Sequence, residues 1–154
     1  MKLTPLQIRE IVGISQETLR HWRRVLPPLI ERNGHAPCFT AGEALALKIV
    51  RDIVETLQVR VQAFQPLADE LFNICRGINW PRLEQQCLLI RFVEPRVEVC
   101  PGSTIPAEAL KGTMLVVALN PHIEALRARL TESENIQHEI PFPPIGLKKR
   151  QVGS

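Results

Sequence analysis

A short basic stretch near the amino terminus carries the side chains with the clearest chemical potential. It reads GISQETLRHWRR over residues 13–24 and places three arginines around one tryptophan. Guanidinium groups match phosphate oxygens through a planar set of donors, and the Gln16 and Glu17 side chains can hydrogen-bond to base edges. The stretch therefore predicts contact with a phosphate-bearing partner. An ordinary solvated basic face would have the same composition and stays open as the alternative.

Two short helices are expected to position this stretch. Thr4 followed by Pro5 is typical of a helix start, because a hydroxyl caps the first turn and proline lacks only an amide that has no partner there. Gly13 is expected to end that helix, and Ser15 to cap the next one. Two helices joined by a short turn that contains a glycine form a helix–turn–helix.

The second helix is predicted to divide its residues between a buried and an exposed side. Leu19 and Trp22 lie three positions apart and share one face, so we interpret Trp22 as core rather than as a base-stacking residue. Ser15 orders the first amides of the helix, and these amides can also bind phosphate. The side chains left on the other faces are Gln16, Glu17, Arg20, His21 and Arg24.

The next signals predict a hairpin and a long helix. Pro27-Pro28 ends the second helix, and Asn33-Gly34 between apolar flanks predicts a two-residue hairpin turn. Thr40 and Glu43 have the spacing of a capping box. The helix that they open has one apolar face, made of Leu45, Ile49, Val50, Ile53, Val54 and Leu57.

The spacing of the apolar residues changes from a helical pattern to strand-like runs after residues 76–82. Before this boundary, a helix is predicted from about Phe64 to Cys75, with Pro66 in its first turn or at a kink. After it, three strand-like runs (86–93, 96–100 and 113–119) precede a helix that starts at Asn120-Pro121.

The predicted fold class is α+β, with a winged helix–turn–helix followed by a small α+β unit. The expected boundaries are a first domain at 1–76, a dimerisation or partner domain at 82–134, and a flexible, proline-rich basic tail at 135–154. In the last helix, Ile123, Leu126 and Leu130 have the spacing of either a core face or a dimer seam. Both interpretations stay open.

The order of these elements resembles the MerR superfamily of DNA-binding proteins. The sequence VGISQETLRHWRR is similar to that family's recognition element, and ERNGHAPCFT and AGEALALKIVRDIVETLQV are similar to its wing and the following helix. The resemblance covers about residues 3–75. It implies that Arg20 and His21 contact the DNA backbone, that Trp22 packs between the helices, and that Arg32 reaches DNA from the wing. The full set of expected contacts is Ser15, Gln16, Glu17, Thr18, Arg20, His21, Arg24, Arg32, Asn33 and His35.

Three features depart from the family's usual pattern. Arg23 stands where the family often has glutamate, and Gln58 stands where it often has glycine after the long helix. The family's long coiled-coil helix is not evident after residue 75. These departures bear on how the chain dimerises, so we expect the segment 82–134 to carry the contacts of a homodimer.

Charge, hydropathy and cysteine spacing narrow the classes of function that the chain could have. Formal net charge is +3, and the basic excess lies at the two ends of the chain. No signal-peptide core or membrane-length apolar run is present, so a cytoplasmic location and no membrane partner are expected. The four cysteines match no zinc-site spacing, and His35 with Cys38 supplies only two ligands. We therefore expect no metal, no cofactor and no enzyme activity.

The resulting prediction is a transcriptional regulator that binds a pseudo-palindromic site in double-stranded DNA as a homodimer. One alternative is an architectural, excisionase-like protein that bends DNA for recombination. Another is an adapter or antitoxin that uses a winged helix to bind protein instead of DNA.

Overall fold

The computed structural model describes residues 2–139, except Asn33, 104–106 and 108–110. This part of the chain has a mixed α+β fold, with helices packed against a small antiparallel sheet. In chain order, the elements are α1 (Pro5–Val12), α2 (Gln16–Val25), α3 (Ala41–Leu57), α4 (Ala68–Gly77), α5 (Trp80–Leu83), β1 (Gln86–Arg91), β2 (Arg96–Pro101), β3 (Leu115–Ala118) and α6 (Asn120–Glu139).

The first two helices begin and end where the sequence predicts. The Thr4 hydroxyl accepts from the Gln7 amide, and the Gln7 side chain in turn accepts from the Thr4 amide, so α1 has a capping box. Gly13 ends α1 in the left-handed region at φ 82°, where glycine has no steric penalty. The Ser15 hydroxyl then caps α2 by accepting from the Thr18 amide at 3.0 Å.

The predicted hairpin around Asn33-Gly34 is wrong for the described residues. Asn33 lies outside them, and residues 34–37 form bends rather than a paired strand. The chain pairs only further on, where Phe39 forms an isolated antiparallel bridge with Leu3. Pro37 gives the physical reason, because a residue without an N–H interrupts a hairpin ladder.

The α3 helix forms the centre of the helical part. Its predicted capping box is present, since Thr40 and Glu43 exchange hydrogen bonds. Most of its predicted apolar face is buried, but Leu57 is about half exposed. Gln58 ends the helix in the left-handed conformation, with φ 56°, which is why glycine would suit this position.

The helix predicted from Phe64 to Cys75 is in fact two elements. Val61–Phe64 form a short 3-10 helix, and α4 starts at Ala68. Pro66 lies between them. It cannot donate the backbone hydrogen bond that a continuous helix would need at that position.

The three predicted strands are confirmed. β1 is central and pairs antiparallel with both neighbours, in the order β2-β1-β3. Leu88 and Ile90 of β1 share one face of the sheet with Val97 and Val117 on the adjacent strands. All four belong to the same hydrophobic core as the helices.

The last helix joins the two halves of the chain. Ile123 and Leu126 are fully buried, so they belong to the interior of one chain and not to a dimer seam. Leu130 is only partly buried, at the edge of the core. α6 packs against α1 and α3. It also runs to Glu139, beyond the predicted boundary at residue 134, because no proline interrupts the sequence between Pro121 and Pro141. Residues 140–154 of the predicted tail lie outside the described part.

Candidate nucleic-acid interface

The exposed side of α2 is the clearest polar surface among the predicted site residues. Gln16, Glu17, Arg20 and Arg24 are all exposed. Gln16, Arg20 and Arg24 are spaced four residues apart and therefore follow one side of the helix. The opposite side holds Leu19 and Trp22, which are 3% and 4% exposed. The prediction that Trp22 is a core residue is therefore confirmed.

One groove separates α2 from α1 and from the loop that follows Arg32. It has a volume of about 280 Å³. Of the predicted contacts, it brings together Gln16, Arg20 and His35. Its floor is apolar and comes from Pro5, Leu6 and Leu19, while the side chains of Arg9 and Arg23 complete the wall.

The two arginines in this wall were not among the predicted contacts. Arg23 is held over the Phe39 ring at 5.4 Å, and its guanidinium lies 3.5 Å from the Gly34 carbonyl oxygen. The Nε atoms of Arg9 and Arg23 are buried without a hydrogen-bond partner in the described part of the chain. The sequence signal for Arg9 is weak. It is one arginine in the last turn of α1, next to the apolar residues Ile8 and Ile11.

A second groove lies on the other side of α2. His21 lines this groove, whereas Arg20 lines the first one. The second groove has a volume of about 470 Å³, and it is lined by Ser15, Thr18 and His21 together with Arg51 and Arg60. The Ser15 hydroxyl donates to the Thr18 hydroxyl at 2.9 Å. The predicted contacts therefore divide between two grooves that flank one helix.

Arg32 does not belong to either groove. Its guanidinium donates to the Cys38 carbonyl at 2.6 Å and forms an ion pair with Glu43, 2.8 Å between Nη2 and Oε2. Glu43 is fully buried and also lies 3.4 Å from Arg76. The predicted DNA contact by Arg32 is therefore left out of the interface proposed below, because this side chain stabilises the protein interior.

The remaining cations of the helical part differ sharply in their partners. On α3, Lys48 lies 2.8 Å from Asp52, and Arg51 lies 3.3 Å from Asp52 and 2.5 Å from Glu55. Within the described residues, no carboxylate lies within ion-pair distance of Arg9, Arg20, Arg23 or Arg24. Four arginines around α2 and the end of α1 are therefore without an ion-pair partner among the described residues, and Glu10 and Glu17 lie on the same two helices.

The described residues contain no group of three or more His, Cys, Asp or Glu side chains that could hold a metal ion. None of the helices in that part of the chain is long and apolar enough to span a membrane. No protein-family model matches the sequence, and no curated protein matches it either.

Proposed function

We propose that this chain is a DNA-binding transcriptional regulator of the MerR-like winged-helix type, with α2 as its recognition helix. The observation that carries the proposal is that Arg20 and Arg24 are exposed on α2 and no ion pair to another described residue neutralises them. A recognition helix presents its first turns to the major groove while neighbouring groups bind the backbone. The proposed interface is Arg9, Ser15, Gln16, Glu17, Thr18, Arg20, His21, Arg23, Arg24 and His35.

The two grooves fit the surroundings of a helix in the major groove. Such a helix has a sugar–phosphate strand on each side. The first groove beside α2 contains three arginines, whereas the second contains His21 and Arg60 together with an ion pair between Arg51 and Glu55. In the first groove, the apolar floor suits the carbon atoms of deoxyribose, while Arg9, Arg20 and Arg23 surround the place for a phosphate. We infer that this groove holds one backbone strand of the duplex.

Arg20→Ala is expected to weaken binding to every duplex, whatever its sequence. It should also flatten the slope of log affinity against log salt by about one unit, because one phosphate contact and its released counterion are lost. The measurement is a salt titration of fluorescence anisotropy with labelled duplex. Arg96→Ala is the matched control, since it removes an exposed arginine from β2. If both variants match the parent while the parent binds DNA, Arg20 is not an anchor.

The same titration tests the proposed function itself. A DNA-binding surface loses affinity steeply as salt rises, whereas an apolar protein interface does not. A parent chain with no salt-dependent affinity for any duplex would favour the adapter or antitoxin alternative. Selection of bound fragments from genomic DNA would separate promoter control from an architectural role in recombination.

Gln16→Ala is expected to change sequence preference rather than general affinity. Gln16 is exposed in the first turn of α2 and can pair with adenine, a contact that contributes about 1–3 kcal/mol of discrimination at one base pair. The measurement is a specificity profile over a randomised duplex library, with Arg24→Ala as the comparison. A Gln16→Ala profile that matches the parent at every position would exclude base reading by this residue.

A homodimer on a pseudo-palindromic site is part of the proposal. One winged-helix unit makes a small interface with DNA, and a second copy doubles it. Because Ile123 and Leu126 are buried inside one chain, the contacts between copies must come from other residues.

A further inference from the structure

Two cysteines stand directly opposite each other on neighbouring strands. Cys87 of β1 and Cys100 of β2 are paired in the antiparallel register, and both are free thiols. Directly opposed residues project from the same face of a sheet. The two sulfur atoms are therefore held side by side, although thirteen positions separate them in the sequence.

The backbone pattern gives the approximate spacing of this pair. The Gly102 amide donates to the Gln85 carbonyl at 2.9 Å, so residues 85 and 102 form a hydrogen-bonded pair. Such pairs recur every second residue, which makes Cys87 and Cys100 another one, with Cα atoms about 5.5 Å apart. This separation lies within the range of disulfides, but directly opposed Cβ atoms must approach by about 1 Å to form one.

Small neighbours leave room for that movement. On its other side, Cys87 is paired with Ala118 of β3. Gly102 is exposed and has no side chain, and even a Cβ at that position would lie 3.7 Å from the Cys87 sulfur. Cys87 is half-buried, whereas Cys100 is only 8% exposed. The first thiol is therefore the more accessible to a reagent.

We propose that Cys87 and Cys100 form a thiol-modification site that reacts with small diffusible disulfides and closes into a reversible cross-strand disulfide. The Cys87 thiolate attacks one sulfur of the reagent, forming a mixed disulfide and expelling one thiolate. Cys100 then gives its proton to that thiolate and attacks the Cys87 sulfur, which expels the second thiolate. This thiolate takes from solvent the proton that Cys87 lost when it ionised. Two protein thiols are oxidised, and one small disulfide is reduced to two thiols.

The surroundings of the two thiols indicate that Cys87 reacts first with the reagent and that Cys100 reacts second. Burial raises the pKa of the Cys100 thiol above its usual value, the neighbouring Cys87 thiol raises it further, and a backbone hydrogen bond from Cys87 offsets part of this effect. Cys100 is thus the poorer first nucleophile and acts only after Cys87 has been modified. Because closure requires the strands to approach, the product is strained and easily reduced.

The other two cysteines provide internal comparisons. Burial raises the pKa of Cys75 to about 12, so this thiol is inert under ordinary conditions. Cys38 is half-buried like Cys87, but it lies between the isolated bridge and the bends near the amino terminus and has no place in the sheet. Cys38→Ser is therefore the matched control.

The test exposes the reduced full-length chain to oxidised glutathione and follows intact mass, free thiols and linked peptides. The parent and Cys38→Ser should each become two hydrogens lighter, with Cys87 joined to Cys100 within one chain, and reduced glutathione should reverse the change. Cys100→Ser should stop at a stable glutathione adduct on Cys87. Cys87→Ser should leave Cys100 unmodified. Cys100→Ala repeats the test with a side chain better suited to a buried site.

Several outcomes would overturn this inference. The parent could keep all its thiols, be modified only at Cys38, or form a disulfide between two chains. The Cys100 variants could also lack a glutathione adduct on Cys87. Each would mean that the paired register does not create a shared reactive site. None depends on DNA binding, so the result is independent of the function proposed above.

Discussion

Glu43→Ala is expected to lower the free energy of unfolding by about 3 kcal/mol, the lower end of the usual effect of breaking a buried ion pair, because the partners Arg32 and Arg76 are partly exposed and can be hydrated. Glu43 is fully buried. Its carboxylate accepts from the Thr40 amide at 2.9 Å and from Arg32 at 3.0 Å, and it lies 3.4 Å from Arg76. The substitution removes the side-chain half of the α3 capping box, while the Thr40 hydroxyl can still accept from the backbone amide of residue 43. It also leaves two guanidinium groups without their anion. Urea unfolding followed by circular dichroism measures the change.

Glu55→Ala is the matched control, because it removes a glutamate from the same helix. The Glu55 side chain is 58% exposed and pairs with Arg51 at the surface. Its loss should lower the free energy of unfolding by no more than about 1 kcal/mol. Equal destabilisation by the two substitutions would show that Glu43 is not the centre of an internal network. Glu43→Gln should fall between them, since its amide oxygen can still accept from Thr40.

The second large effect is expected from Gly42→Ala. A Cβ at this position would lie 2.5 Å from the Cys75 carbonyl oxygen and 2.8 Å from the Arg76 Cα. Both are backbone atoms of α4, so the two helices must move apart, and overpacking of this kind lowers stability by about 1–3 kcal/mol or more. Helix propensity alone predicts that Gly42→Ala would raise stability, because alanine is favoured over glycine in a helix by about 1 kcal/mol.

Gly77→Ala separates these two effects. Gly77 is the last residue of α4, and a Cβ there would meet no atom within 4 Å. This variant should be neutral or slightly more stable than the parent, whereas Gly42→Ala should unfold at a clearly lower urea concentration. If Gly42→Ala raised the midpoint as well, the close approach of α3 to α4 would be refuted.

Gly42 and Glu43 are adjacent, and together they make the start of α3 a junction for the helical part. Glu43 holds Arg32 and therefore the beginning of the loop that contributes His35 to the first groove. Gly42 sets how closely α4 approaches. Loss of Glu43 should consequently disturb the proposed interface indirectly, through the position of that loop, even though Glu43 itself is fully buried.

Features that depend on neighbours within a few residues could be predicted from the amino-acid sequence. Hydroxyl caps at Thr4, Ser15 and Thr40 mark the helix starts, because each satisfies an amide three positions ahead. The left-handed stop at Gly13 depends on glycine's own freedom. The three strands of the sheet followed from β-branched and aliphatic runs, and the exposed side of α2 followed from helical spacing.

Contacts between groups that are distant in the sequence could not be predicted and are seen only in the folded chain. Arg32 resembled a DNA contact in the sequence, but the fold brings it to a buried carboxylate eleven positions away. Arg9 belongs to the candidate interface because α1 and α2 line a common groove. Cys87 lies opposite Cys100 because of the register between β1 and β2. The predicted hairpin failed at Pro37, and α6 proved to be core where a dimer seam was also possible. These outcomes depend on long-range packing and on the desolvation of charge, which composition and spacing along one chain do not encode locally.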